Sequence, residues 1–170
     1  MNKKNQINIF IVEDNEVFTL ALKSNIETAF ANKPIKIRSF ETGEKCLQNI
    51  KEEKPQVVIL DYHLNSKYPE AADGITVLDR IKKENSETNV IMLTINDNMD
   101  IAIKSFKHGA SDYIVKTETQ FMKINYSLLN LFKMMKAKSE AKRYKNVIRL
   151  FLYFIALQVA VIIAILIFVS

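Results

Sequence analysis

Residues that mark several common classes of protein are scarce in this chain of 170 residues. Its single cysteine, Cys46, excludes an internal disulfide and any metal site built from several cysteines, and it fits a reducing compartment. Three glycines and three prolines leave no low-complexity or collagen-like segment. The apolar run at residues 9–12 is too short for a signal peptide, so we expect no export signal there.

Acidic residues are almost absent from the last fifty positions. Residues 121–170 contain eight Lys or Arg and one acid, Glu140, whereas residues 1–120 contain 16 basic and 18 acidic residues. Between residues 150 and 169 only Gln158 falls outside the apolar class. As a helix this run would be roughly 30 Å long, the thickness of the hydrocarbon core of a bilayer. We therefore predict a membrane-spanning helix over residues 150–169, preceded by a basic juxtamembrane helix over residues 134–149.

The charge flanking the apolar run predicts its orientation. The basic residues precede it and only Ser170 follows, so the positive-inside rule predicts a single-pass C-terminal anchor in the cell membrane, with the rest of the chain cytoplasmic. Membrane lipid then accounts for the basic segment, and we expect no nucleic-acid partner. Alanines 156, 160 and 164 share one helix face, which would let two copies pair as a homodimer unless their spacing is a coincidence.

Short apolar runs alternate five times with stretches of helical composition. Four runs are nearly all apolar and rich in β-branched residues, as are strands buried on both faces of a parallel sheet; they lie at residues 7–12, 57–60, 90–93 and 113–115. A fifth run, at residues 35–40, alternates as an edge strand does. Helices are predicted at about residues 16–31, 44–52, 75–84, 99–107 (with Gly109 as a C-cap) and after Thr117. This order predicts a doubly wound α/β domain over residues 1–133.

A polar residue follows each of the four apolar strands. With all five strands numbered in chain order, Glu13 and Asp14 follow the first strand, Asp61 the third, Thr94 the fourth and Lys116 the fifth. The carboxyl ends of parallel strands meet at one end of the sheet, so we expect these side chains to lie close together. Clustered carboxylates repel one another unless a hard cation such as Mg²⁺ binds them. Each residue alone would be an ordinary loop or capping residue, but their conjunction favours an acidic metal site beside a cationic clamp. An aspartate so placed could accept a phosphoryl group.

The motifs at these strand ends also carry a family resemblance. They are residues 9–14 (IFIVED), 57–61 (VVILD), 73–74 (DG), 91–94 (IMLT) and 109–116 (GASDYIVK). With them, residues 6–133 resemble the receiver domains of two-component response regulators. The resemblance implies a flavodoxin-like sheet of five parallel strands in the order 2-1-3-4-5, followed here by the long C-terminal helix.

The resemblance also implies roles for the site residues. Asp61 would accept phosphate from a sensor histidine kinase or a phosphotransfer protein. Asp14, Asp61 and the backbone carbonyl of His63 would bind Mg²⁺, and Glu13 would act on the ion mainly through water. His63 could equally be an exposed loop residue with no special role.

The same resemblance implies a conformational switch. Thr94 and Lys116 would hold the phosphoryl oxygens, and Tyr113 would swing inward as Thr94 moves, although Tyr113 could simply be an aromatic strand residue. The chain would then be a membrane-tethered phosphoacceptor with self-catalysed transfer, and not a turnover enzyme. A membrane adaptor with a receiver fold and no phosphorylation is the alternative.

Four features depart from the family pattern. Thr117 stands where receivers usually have a proline after a cis bond, and Ile95 is bulkier than the residue that commonly follows the key threonine. The loop between Asp61 and Gly74 is several residues longer than is common. No DNA-reading or catalytic domain follows the receiver in this sequence.

Overall fold

The structure, a computed structural model, describes residues 6–64 and 72–169, with the exception of the side chains at 159–166, 168 and 169. Within these ranges five strands form one parallel sheet: β1 (Ile7–Val12), β2 (Ile35–Phe40), β3 (Val57–Asp61), β4 (Asn89–Thr94) and β5 (Asp112–Val115). Their order is β2-β1-β3-β4-β5, which confirms the predicted topology.

Helices follow the strands, and four of them start at a capping side chain. They are α1 (Glu16–Ala29), α2 (Gly43–Glu53), α3 (Gly74–Glu84), α4 (Met99–Lys107) and α5 (Gln120–Val169). The caps of α1 to α4 are side-chain oxygens that accept a backbone N–H of the first turn, from Asn15, Thr42, Asp73 and Asn98. After α4 the chain turns at Gly109, whose φ of 93° suits glycine, directly after the cap residue His108.

The central strands supply the core, as their composition predicts. Every residue of β3 is buried, and so are the last four of β1 and the last five of β4. Each fully buried aliphatic side chain stabilises the fold by about 1.5–3 kcal/mol. Strand β2 lies at the edge of the sheet and is only partly buried, in agreement with its alternating sequence.

The chain divides into two compact units, Met1–Leu128 and Leu129–Ser170. In the first unit Ile124 and Leu128 of α5 are fully buried and the Phe121 ring contacts Phe18. In the second unit α5 continues, and the side chains of residues 136–158 are exposed. The predicted domain boundaries at residues 133 and 149 stay predictions.

The prediction of a membrane-spanning helix is contradicted by the structure. Across residues 6–64 and 72–169, no helix combines the length and the apolar character needed to cross a bilayer. The predicted location as a single-pass protein of the cell membrane, with a cytoplasmic receiver, is therefore corrected, and membrane lipid is no longer a predicted partner.

The predicted pairing of two copies through small side chains stays untested. Ala156 is exposed on α5, as that prediction requires. The side chains of Ala160 and Ala164 lie outside the described residues.

Candidate functional site

Backbone hydrogen bonds beyond the strand ends fix the positions of the predicted site residues. The Glu13 N–H donates to the Phe40 carbonyl at 3.0 Å, and the Lys116 N–H donates to the Thr94 carbonyl at 2.7 Å. Each bond prolongs the pairing of neighbouring strands by one residue. The side chains that follow β1 and β5 therefore have defined positions at the same edge of the sheet as Asp61.

The Lys116 ammonium joins two of the predicted carboxylates. Its Nζ lies 2.7 Å from Glu13 Oε2 and 2.9 Å from Asp61 Oδ2. The three side chains are 13 %, 2 % and 3 % exposed respectively, so the charges are largely removed from water. Buried charges are tolerated only when they are paired with good geometry, and here one cation serves two anions.

A third carboxylate completes an acidic cluster. Glu13, Asp14 and Asp61 each offer one carboxylate oxygen, and these oxygens lie within 4.8 Å of one another. Among the described residues no hydrogen-bond partner reaches Asp61 Oδ1, which is buried. Three carboxylates beside a single ammonium leave excess negative charge, and oxygen donors in this arrangement fit Mg²⁺.

Burial and the neighbouring negative charge both alter the pKa of Glu13. Burial first, and then the neighbouring Asp61 charge, raise the pKa of Glu13 from 4.5 to about 7. The Lys116 ammonium and the Asn15 N–H, which donates to Glu13 Oε1 at 3.3 Å, oppose this shift without cancelling it. Without a bound metal ion, Glu13 is therefore partly protonated near neutral pH.

The cluster opens into a cavity of about 270 Å³. The cavity is lined by Glu13, Asp14, Asn15, Phe18, Asp61, Ile95 and Lys116. Ile95 is 62 % exposed here, and the effect of its bulk on access to Asp61 stays a prediction. Among the described residues that line a larger cavity of about 390 Å³, Asp112 alone carries a carboxylate, so the chemistry favours the smaller cavity.

Thr94 and Tyr113 contact the loop between β4 and α4. The Thr94 side chain is fully buried, and its Oγ1 accepts the Asn96 N–H at 3.3 Å. The Tyr113 hydroxyl donates to the Asn96 carbonyl at 3.1 Å. Asn96 therefore links both predicted switch residues, whose movement stays a prediction.

Two further predicted features lie beside the site. The His63 ring stands edge-on to Tyr62 with ring centroids 4.8 Å apart, and the role of its backbone carbonyl stays a prediction. The peptide bond between Lys116 and Thr117 is trans, since the described part of the chain has no cis peptide bond.

Sequence reasoning missed two residues of the cavity. Asn15 caps α1 and also donates to Glu13, and its place directly before a predicted helix was a usable signal. The Phe18 ring lies 4.7 Å from Lys116 Nζ. Nothing in the sequence marks this contact, because an aromatic residue in a helix is an ordinary core residue.

The comparison with known families agrees with the fold and the site described above. The model of the response regulator receiver domain matches residues 9–124. The chain belongs to the response regulator receiver domain family. This receiver therefore has the fold and the acidic pocket of proteins that act in two-component signalling, and that pocket is where receivers typically bind Mg²⁺.

Similar proteins include larger regulators. The receiver is 27 % identical over 109 residues to the DNA-binding transcriptional regulator NtrC of Proteus hauseri, a match that covers 64 % of this chain and 21 % of NtrC. It is 28 % identical over 116 residues to the alkaline phosphatase synthesis transcriptional regulatory protein PhoP of Bacillus subtilis, which covers 68 % of this chain and 43 % of PhoP. The chain thus spans about a fifth of NtrC and less than half of PhoP, and the expected absence of a nucleic-acid partner stays a prediction.

A solved structure supports the fold independently. The BeF3-activated receiver domain of DrrB, a protein of Thermotoga maritima, superimposes with a TM-score of 0.61 and is 26 % identical. The match covers 75 % of this chain and 98 % of that domain.

Proposed function

We propose that this receiver accepts a phosphoryl group on Asp61 from a sensor histidine kinase or a phosphotransfer protein and acts as a phosphorylation-dependent switch. The observation that supports this proposal most strongly is the environment of the Asp61 carboxylate. One of its oxygens lies 2.9 Å from the Lys116 ammonium, while the other is buried, lacks a hydrogen-bond partner among the described residues and belongs to a residue that lines the cavity.

The unpartnered oxygen suits Asp61 for nucleophilic attack. An Asp61 Oδ–P bond would form while the P–N bond of a phosphohistidine breaks. The leaving imidazole keeps the electron pair of that bond and takes a proton from solvent. One phosphoryl group is taken up per chain, so we infer a phosphoacceptor with self-catalysed transfer and not a turnover enzyme.

The other site residues would stabilise the transferred group. Glu13, Asp14 and Asp61, with the His63 carbonyl, would hold Mg²⁺. Bound there, the ion supplies positive charge for the phosphoryl oxygens. The Lys116 ammonium would turn from the Asp61 carboxylate to a phosphoryl oxygen, and Thr94 would donate its hydroxyl to another.

The hydrogen bonds at Asn96 suggest how the signal would leave the site. Donation by Thr94 to a phosphoryl oxygen would draw its hydroxyl away from the Asn96 N–H. The loop that carries Asn96 also holds the Tyr113 hydroxyl. A shift of this loop would therefore release Tyr113 from its present contact, in line with the switch that the family resemblance implies.

Phosphorylation of the full chain by acetyl phosphate tests the proposal. With Mg²⁺ we expect one phosphoryl group per chain by intact mass, none in Asp61→Asn and almost none in excess chelator. The matched control is Asp79→Asn, which removes an α3 carboxylate that contacts His108 outside the site, and which should be phosphorylated like the wild type. Equal incorporation by Asp61→Asn, or with chelator, would contradict the proposal. No incorporation by the wild type would favour an adaptor that works without phosphorylation.

A further inference from the structure

We propose that Phe18 is a positioning residue for Lys116: its ring keeps the ammonium between Glu13 and Asp61, and Phe121 supports the ring. The proposal rests on the proposed role of Asp61 as phosphoacceptor and assigns a function to a side chain outside the charged cluster. Phe18 would touch neither the phosphoryl group nor a metal ion, and would act through Lys116.

The contacts of the ammonium motivate this assignment. A protonated lysine has three N–H donors, and carboxylate oxygens of Glu13 and Asp61 lie within hydrogen-bond distance of Nζ. The Phe18 ring centroid lies 4.7 Å from the same atom. The face of an aromatic ring carries partial negative charge and attracts a cation at this distance. The ring therefore provides a third favourable contact for Lys116.

The need for such a contact follows from the chemistry of lysine. Its ammonium is a compact, strongly hydrated charge on a flexible four-carbon stem. During phosphoryl transfer the Asp61 oxygen would become part of an acyl phosphate, so one of the two carboxylate partners would change. A ring that lines the same cavity would keep the ammonium near the new phosphoryl oxygens during that change.

Local structure fixes Phe18 relative to the acidic cluster. The Phe18 N–H donates to Asn15 Oδ1 at 3.0 Å, in the first turn of α1. The N–H of the same Asn15 donates to Glu13 Oε1 at 3.3 Å. One capping residue therefore orients both the carboxylate and the backbone that carries the ring.

The ring has a second aromatic neighbour. The centroids of Phe18 and Phe121 are 5.7 Å apart with the ring planes inclined by 39°, within the range of favourable aromatic pairs. Phe121 lies in the first turn of α5. Removal of this side chain should loosen Phe18 without touching Lys116.

Four variants of the full chain test the proposal by their rate of Asp61 phosphorylation from acetyl phosphate at saturating Mg²⁺. We expect Phe18→Leu to slow the reaction by about three- to thirty-fold, the range of a cation–aromatic contact. Phe18→Tyr keeps the ring face and should stay within about twofold of the wild type. Phe121→Leu should show a smaller loss. Phe30→Leu, a buried aromatic at the other end of α1, is the matched control and should keep the rate even if it lowers stability.

A spectroscopic measurement separates positioning from a general loss of structure. The ring current of Phe18 should shift the NMR signals of the Lys116 side chain upfield in the wild type and in Phe18→Tyr, and this shift should vanish in Phe18→Leu. Mg²⁺ affinity should be the same in all the variants, because the carboxylates are unchanged.

The outcomes distinguish this proposal from the function on which it rests. An unchanged rate in Phe18→Leu, an equal loss in Phe30→Leu, or a Lys116 signal without a ring-current shift would overturn the role of Phe18. Failure of the wild type to be phosphorylated would overturn the role of Asp61 instead, and the NMR measurement would still decide whether Phe18 holds Lys116.

Discussion

At the scale of single residues, Glu13 shows the electrostatic cost of the site without a bound metal ion. Its carboxylate is buried beside Asp61, and its pKa is raised from 4.5 to about 7 even though Lys116 lies 2.7 Å away. The charged form of Glu13 is destabilised because burial removes its hydration and the Asp61 carboxylate repels it. A bound divalent cation would relieve both effects.

The raised pKa of Glu13 makes the stability of the metal-free protein depend on pH. The folded state binds the Glu13 proton more tightly than the unfolded state, so this contribution is fully present below pH 4.5. It is lost as the pH rises through about 7. We expect the free energy of unfolding to fall by on the order of 3 kcal/mol over this window relative to Glu13→Gln. Urea denaturation at several pH values in chelator measures the difference, and parallel pH profiles of the two proteins would contradict the expectation.

Cys46 offers a second prediction at the residue scale. Burial raises the pKa of its thiol from 9.0 to about 12, and the side chain is fully buried in the core. Because the thiolate is the reactive form, we expect the folded protein to resist thiol reagents at pH 8 and to react once it is unfolded in urea. Rapid labelling without denaturant would show that this part of the core opens readily.

At the scale of elements, the contact between the end of β3 and the start of α3 leaves no room for a side chain. A Cβ on Gly74 would lie 2.7 Å from the Asp61 carbonyl oxygen and from Tyr62 Cα, both backbone atoms that cannot yield cheaply. On Gly43, at the start of α2, a Cβ would collide with the side chain of Val77 instead.

These two glycines form a matched pair for mutation. Each change to alanine overpacks the fold and should cost about 1–3 kcal/mol of stability. Only Gly74→Ala should also weaken Mg²⁺ binding, because the backbone that must move belongs to Asp61 and Tyr62. Gly43→Ala should keep its metal affinity and regain stability when it is combined with Val77→Ala. Calorimetric titration with Mg²⁺ distinguishes them, and equal affinities in both glycine variants would contradict this account.

The elements also show what sequence reasoning can and cannot find. Strand β3 and Asp61 were predictable because a run of buried apolar residues that ends in a carboxylate has few structural explanations. The start of α5 near Gln120 followed from the apolar spacing after Thr117. The contact between Phe18 and Lys116 joins residues that are far apart in the chain and of types that occur in any core, so no local pattern indicated it.

At the scale of the whole molecule, uneven composition explains why the sequence predicted a membrane-spanning helix that the structure contradicts. The apolar run that begins at Leu150 met the length criterion for a membrane span in the sequence. Within the described residues no helix of the structure meets the combined requirement of length and apolar character. Apolar length is a necessary condition for a span and does not by itself establish one.

Metal binding should stabilise the whole molecule. A ligand that binds only the folded state adds about 2.7 kcal/mol to the free energy of unfolding at a hundred times its Kd. We therefore expect thermal unfolding to move to higher temperature as Mg²⁺ is added and to return when the metal is chelated. Asp14→Ala should abolish most of this shift, whereas Lys116→Ala should keep it, because Asp14 belongs to the proposed ligand set and Lys116 does not. An equal shift in wild type and Asp14→Ala would place the metal elsewhere.

The position of the phosphoryl group in the phosphorylated wild-type chain is the most direct test of the central claim. Borohydride reduces an aspartyl phosphate to homoserine, which peptide mass spectrometry then locates. We predict homoserine at position 61 and at no other aspartate. Homoserine at position 14, or a stable phosphoryl group on a serine, threonine or histidine, would contradict the assignment of Asp61 as the phosphoacceptor.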